Sequence, residues 1–179
     1  GNCRKGRFFL DADFTILYQK YKNTIFSYIY YLCGDYAAAE EICQDVFLKV
    51  YLNISKFEGR SSFKTWIYKI AKNTYLDFMK NEAKNRNYFK QNQDFDQERW
   101  IQESGPEDHV LNREVQERIQ KTLRQMSDKY CMLIILRDMQ HLSYKEISEI
   151  LGQNLNSTKV NIYRARKEFR QIYERLEGK

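Results

Sequence analysis

Proline is almost absent from this chain of 179 residues, which has one, and glycine is scarce at seven. Tight hairpins are hard to build without these residues, so helices are the economical reading and an all-α protein is expected. Long apolar runs are missing too: the best candidate, Ile25 to Cys33, is broken by Ser27 and diluted by tyrosines. A transmembrane helix needs about 18 or more apolar residues in a row, so membrane insertion is excluded on this count. The stretch from Gly1 to Arg7 holds basic side chains but no apolar segment ahead of a small-residue cleavage site, and Gly1 where Met is usual reads as an expression remnant. A cytoplasmic protein is expected. Cys3, Cys33, Cys43 and Cys131 stand far apart, and His109 and His141 are isolated. Zinc sites present ligands in closely spaced pairs, so reduced, mostly buried thiols are expected, with no metal and no cofactor.

What is present is aromatic and basic. Fifteen per cent of residues are aromatic, too many for a disordered chain and enough for modest cores, though not for one large core. Phe14, Leu17, Tyr18, Tyr21, Ile25, Ile29 and Leu32 recur at three and four residues, a helix from Asp11 to Cys33 that Gly34 stops. Asp35 can cap a second helix with the apolar stripe Ala39, Ile42, Cys43, Val46, Phe47, Val50, Tyr51 and Ile54. Its opposite face carries Glu41, Gln44, Asp45 and Lys49. A third begins near Ser61 or Ser62 and buries Phe63, Trp66, Ile67, Ile70, Ala71, Thr74 and Phe78. The spacing thus predicts two small helical domains: residues 9–88, a linker over 89–106, and residues 107–177. Pro106 suits a first helical position, with Val110, Leu111, Val115, Ile119, Leu123 and Met126 on one face. A further short helix follows Ser127.

Charge is uneven. From Lys56 to Lys90 nine basic residues face three acidic ones, and from Lys159 to Lys179 seven face three, while Gln91 to Glu117 has eight acidic against two basic. Two basic patches separated by an acidic linker point to a polyanion touched at two places.

In the second domain Ser143 and Glu146 have capping-box spacing at the start of "LSYKEISEILG", and Gly152 stands where a left-handed C-cap is needed. A short turn leads to Asn156, a candidate cap for the last helix. Helix, glycine turn, helix is the arrangement of a helix-turn-helix DNA reader. Thr158, Ile162, Ala165, Phe169, Ile172 and Leu176 mark that last helix's buried face. Ser157, Val160, Asn161 and Arg164 then point away, flanked by Lys159, Tyr163 and Lys167. Val160 suits a thymine methyl, Asn161 adenine, and Arg164 guanine or a phosphate.

The third helix, "SSFKTWIYKIAKNTYLDFMK", interleaves rings with Lys64, Lys69, Lys72 and Asn73, as a single strand requires when bases stack and lysines meet phosphates. Trp66 and Tyr68 cannot both face the core; the alternative to stacking is that Trp66 is buried and Tyr68 snorkels. From about Phe14 to Leu176 the chain resembles the extracytoplasmic-function sigma factors of bacterial RNA polymerase. "AEEICQDVFLKVY" looks like region 2.2, Ser61 to Lys80 like regions 2.3 and 2.4, and "LSYKEISEILG" with "YRARKEF" like region 4. The resemblance implies a protein that is not an enzyme, with core RNA polymerase, promoter DNA and an anti-sigma factor as partners. It places Glu41, Gln44, Asp45 and Lys49 on the polymerase clamp helices; on the residues alone such a face is more often just a solvated one. It implies that Lys56 to Ser62 and the third helix open the minus-10 element and hold a flipped base, with Trp66, Tyr68 and Asn73 in the pocket and Lys64, Lys69 and Lys72 on phosphates. Ser157, Lys159, Tyr163, Arg164 and Arg166 match the minus-35 reading helix.

This chain departs from the family pattern there, with Ser157-Thr158-Lys159-Val160-Asn161 where Thr-Val-Lys-Ser-Arg is common. The sixteen residues from Lys90 to Gly105 span about 55 Å extended. Elements about twenty base pairs apart lie about 68 Å apart, so with the domains' own widths both reach one promoter. A stand-alone helix-turn-helix regulator accounts for the second domain only. A nuclease using Glu40, Glu41 and Asp45 lacks the further ligands that two-metal sites need. Val160 and Asn161 favour A/T contacts, so exchanging them together (Val160→Ser, Asn161→Arg) is expected to change the base preference found by binding-site selection on duplex DNA; an unaltered preference refutes the assignment.

Overall fold

Gly34 and Asp35 make the first corner. Helix α1 (Asn2–Cys33) ends where Gly34 adopts φ +67°, a left-handed conformation that penalises any residue with a Cβ. Asp35 then caps α2 (Tyr36–Asn53), its carboxylate accepting from the Ala38 N–H at 2.7 Å, and α2 packs on α1. The structure, a computed structural model, describes residues 2–84 and 113–178, and among these there are helices and no strand. A 3-10 turn (Ile54–Lys56) and a loop through Gly59 lead to α3 (Phe63–Lys84), where Ser62 Oγ accepts from the Thr65 N–H at 3.1 Å. The second half is built from α4 (Arg113–Gln125), α5 (Asp128–Ile134), a π-helical turn (Ile135–Met139), α6 (Tyr144–Leu151) and α7 (Leu155–Glu177). The expected linker over 89–106 and the helix start at Pro106 lie outside the described residues.

Two boundaries differ from expectation. Helix α1 begins well before Asp11, because one glycine inside a helix, Gly6, costs only about 1 kcal/mol and does not end it. Helix α7 is capped by Asn154 rather than Asn156: the Asn154 carbonyl oxygen of the side chain accepts from the N–H of Asn156 and Ser157, so Asn156 is already inside the first turn. The capping box is formed as expected, with Ser143 Oγ accepting from the Glu146 N–H and Glu146 accepting from the Ser143 N–H at 2.7 Å.

The buried apolar residues of the two halves join in one cluster, where separate modest cores were expected. The reason is that α3 runs along α6 while α1 meets α4 and the π-helical turn. Helix α4 contributes two polar side chains to this junction. Gln120, buried, donates to the Tyr30 carbonyl at 3.2 Å, and Arg124 donates to the Gly34 carbonyl at 2.7 Å. Carbonyls at a helix C-terminus have no partner within the helix and carry its negative pole, so a guanidinium there satisfies both needs. Cys33, Cys43 and Cys131 are free thiols packed in or against the cluster, and burial pushes Cys33 and Cys131 up to about 12, which keeps them protonated and inert. Among the described residues no helix is long and apolar enough to cross a membrane.

Gly34 and Gly59 share a left-handed backbone but differ in surroundings. A Cβ on Gly34 would stand 2.7 Å from Arg124 Nε, whereas one on Gly59 meets nothing within 4 Å. Gly59→Ala is therefore expected to cost about 1 kcal/mol from strain alone. Gly34→Ala is expected to cost about 1 kcal/mol more, because Arg124 must leave its carbonyl. Urea denaturation measures both, and equal losses would contradict the role given to Arg124.

Candidate nucleic-acid interface

Helix α3 presents two different faces. On one, Trp66 stands half-exposed between two clefts, packed against Phe57 at 5.1 Å and Phe63 at 5.4 Å between ring centroids. The larger cleft, about 420 Å³, is lined by Lys49, Asn53, Lys56, Trp66, Ile70, Asn73, Thr74 and Asp77. The smaller, about 190 Å³, is lined by Lys56, Phe57, Glu58, Arg60, Ser61 and Trp66. An indole edge, an exposed amide at Asn73 and two lysines around a cavity of this size are suited to a planar, hydrogen-bonding, negatively tethered group such as a nucleotide. Lys69 lies three residues from Trp66 and four from Asn73, in the same helical row.

The other face carries Lys64, Tyr68 and Lys72, and the second half of the chain partly covers it. Tyr68, which snorkels in one of the readings above, is wholly buried, while Trp66 keeps an edge outside. Its ring packs on Tyr28 at 5.3 Å and its hydroxyl donates to Gln140 Oε1 at 2.7 Å, a partner 72 positions away that local periodicity could not reveal. Burial, with the Glu146 charge adding, pushes the Tyr68 hydroxyl pKa up, so it remains a donor. Tyr68 thus stands apart from the Trp66 clefts. Lys72 donates to the Ile150 carbonyl at 3.1 Å, and burial, then the nearby Lys69 charge, lower its pKa from the usual lysine value. Lys64 lies 3.5 Å from Glu146. Burial opposes ionisation of Glu146, but the Ser143 hydrogen bonds and the Lys64 ammonium outweigh it and hold the carboxyl below the usual range.

On α2, Glu41, Gln44 and Asp45 are exposed as expected. Lys49 leaves that face, its ammonium donating to Thr74 Oγ1 at 3.1 Å and lining the larger cleft. Sequence reasoning missed Leu48 and Leu52, which are 54% and 61% exposed and continue the row of Glu41, Gln44 and Asp45. Their signal was present: large apolar residues out of phase with the buried stripe.

In the second half Gly152 is left-handed at φ +63°, and α7 buries Thr158, Ile162, Ala165 and Ile172 with Phe169 and Leu176 against them. Ser157, Lys159, Val160, Tyr163 and Arg164 are exposed, Tyr163 at 72%, and Asn161 is half-buried. Arg166 is engaged elsewhere: its guanidinium donates from Nε and Nη to the two carboxylate oxygens of Asp138, fastening α7 to the π-helical turn. This bidentate bond raises its pKa further.

A family model described as Sigma-70 region 2 matches residues 17–85, and one described as Sigma-70, region 4 matches residues 116–169. The RNA polymerase sigma factor YlaC of Bacillus subtilis is 30% identical over 156 residues, covering 87% of this chain and 88% of the relative. The ECF RNA polymerase sigma factor SigW of the same organism is 32% identical over 158 residues, covering 84% and 83%. The chain belongs to the extracytoplasmic-function sigma factors. The sigma factor RpoE, solved in complex with the anti-sigma factor NepR from Bartonella quintana, shares the fold with a TM-score of 0.75 at 19% identity over 90% of this chain and 97% of that one. In this sigma factor the region 2 match takes in the C-terminal half of α1 and all of α2 and α3, and the region 4 match runs from α4 into α7.

If Arg166 is a fastener, its loss registers in stability. Arg166→Ala and Asp138→Ala are each expected to lower the melting temperature, with a coupling in the double-mutant cycle of about 0.5–1 kcal/mol, as befits a partly exposed bidentate pair. Zero coupling would return Arg166 to the reading surface.

Proposed function

We propose that this sigma factor binds core RNA polymerase through the exposed row of α2, reads minus-35 duplex DNA with α7, and opens and reads the minus-10 element at α3. Glu41, Gln44 and Asp45, with Leu48 and Leu52, offer a mixed charged and apolar row of the kind that docks another helix. Ser157, Lys159, Val160, Tyr163 and Arg164 occupy the exposed side of a capped helix-turn-helix, Asn161 beside them, where a major groove would be entered. The observation that carries the reading is the pair of clefts flanking Trp66 on α3. A flipped base held there by the indole, Asn73 and the cleft lysines offsets the few kcal/mol lost on unstacking. Lys64, Lys69 and Lys72 have the charge to meet the displaced strand's phosphates. An anti-sigma factor is a further partner on this reading, as NepR is for RpoE. The family makes initiation factors, and no catalytic step is assigned to this chain. A stand-alone repressor would leave the Trp66 clefts without a use.

Run-off transcription with core polymerase from a related bacterium, on genomic fragments, tests the reading. Promoter-specific transcripts are expected only when the chain is added. Asn73→Ala or Trp66→Ala should abolish them while core binding persists, and Leu48→Glu with Leu52→Glu should abolish core binding itself. A folded chain that neither binds core nor yields transcripts, yet binds duplex DNA tightly alone, would be a repressor.

A further inference from the structure

In the free chain a whole stripe of α3 is already occupied. Lys64, Tyr68 and Lys72 are spaced by four, so they form one continuous row on the helix surface. Each is met by the second half of the same molecule: Lys64 by Glu146 at 3.5 Å, Tyr68 by Gln140 at 2.7 Å, Lys72 by the Ile150 carbonyl at 3.1 Å. Ile150 is in the last turn of α6, so the Lys72 ammonium caps a helix end that carries partial negative charge. The partners thus imitate in kind what a nucleic-acid strand would bring: a carboxylate for Lys64, a partly negative carbonyl oxygen for Lys72 and a polar acceptor for the phenol.

The turn that delivers Gln140 is built for the purpose. Its N–H donates to the Ile135 carbonyl at 2.9 Å, and the Leu142 N–H donates to the Leu136 carbonyl at 3.0 Å. Between them His141 is held left-handed at φ +54°, the sole non-glycine residue so held among those described. Such a conformation in a residue with a Cβ persists only where the surroundings impose it. The result aims the Gln140 amide into the first half, where its oxygen accepts a hydrogen bond from the Tyr68 hydroxyl and its nitrogen donates to Ser27 Oγ at 3.4 Å.

We propose that this row of contacts is an intramolecular clasp: region 4 lies over α3 in the free sigma factor and withholds the 64/68/72 stripe from single-stranded DNA until the two halves part. The proposal rests on the reading of α3 as the strand-binding helix. The clasp is releasable because its directional contacts are one partly exposed ion pair and hydrogen bonds between neutral or singly charged groups, all replaceable by phosphates and water. The apolar residues that the two halves share hold the closed form, so parting exposes them and the binding of polymerase or a strand has to supply the difference. A strand that binds only the parted form has its affinity reduced by the fraction of molecules parted.

The first variants alter only clasp partners from region 4, none of which has been assigned to DNA. Gln140→Ala removes the bonds to Tyr68 and Ser27, and Glu146→Gln removes the charge facing Lys64 while a glutamine can still serve the capping box. Binding of the full chain, without polymerase, to a fluorescein-labelled pool of short random single-stranded DNA is read by anisotropy, and the radius of gyration by small-angle X-ray scattering. The double variant is expected to be more extended and to bind the pool about tenfold more tightly. Adding Lys72→Ala should remove most of that gain. Unchanged strand affinity in a folded variant that still directs run-off transcription overturns the clasp and leaves the proposed function standing. No transcription from either chain overturns that function and the clasp with it. Should the double variant fail to fold, Gln140→Ala alone carries the same comparison.

Discussion

Helix α3 has to be buried on one side by α2 and on the other by α6, and most of what is distinctive in this chain follows from that constraint. Ile67, Ala71 and Thr74 are sealed, and so are Tyr68 and Tyr75. A helix enclosed this way has its most open side in the sector holding Trp66, Lys69 and Asn73. The two clefts open there. The same enclosure fuses what would be two small cores into one cluster. A small core buries a smaller share of its chain's surface than a larger one does, so the contact between the halves has thermodynamic value of its own.

The junction relies on polar side chains placed at helix ends. Arg124 and Gln120 satisfy carbonyls at the C-terminus of α1, and Lys72 satisfies one in the last turn of α6. Capping across the junction ties the backbone of each half to a side chain of the other. These bonds are directional, so they fix an orientation, and each is of modest strength, so they do not lock it. A sigma factor has to engage two promoter elements, and a junction of this kind can hold one arrangement and still be exchanged for another.

Polar residues are sorted by partner more than by position along a helix. On α2, Lys49 turns to Thr74 while its helical neighbours Asp45 and Leu48 stay outside. On α7, Arg166 is drawn to Asp138 while Arg164 remains exposed. Long basic side chains reach whichever acceptor the fold brings near, and their flexible stems let them leave the face on which the Cα lies.

The sequence by itself determined what local chemistry controls. Gly34 and Gly152 as left-handed stops, Asp35 as a cap, the Ser143–Glu146 box and the buried stripe of α7 all involve groups a few residues apart, so their spacing was sufficient to place them. The family motifs were legible for the same reason, being short runs on single helices. Tertiary structure alone decided which ring of α3 is buried, where Lys49 and Arg166 point, and that Gln140 has a use. Tyr68 and Gln140 are 72 residues apart, and Lys72 and Ile150 are 78 apart. Helical periodicity says which residues share a face but not what will cover it, and on α3 the covering came from the other half of the chain.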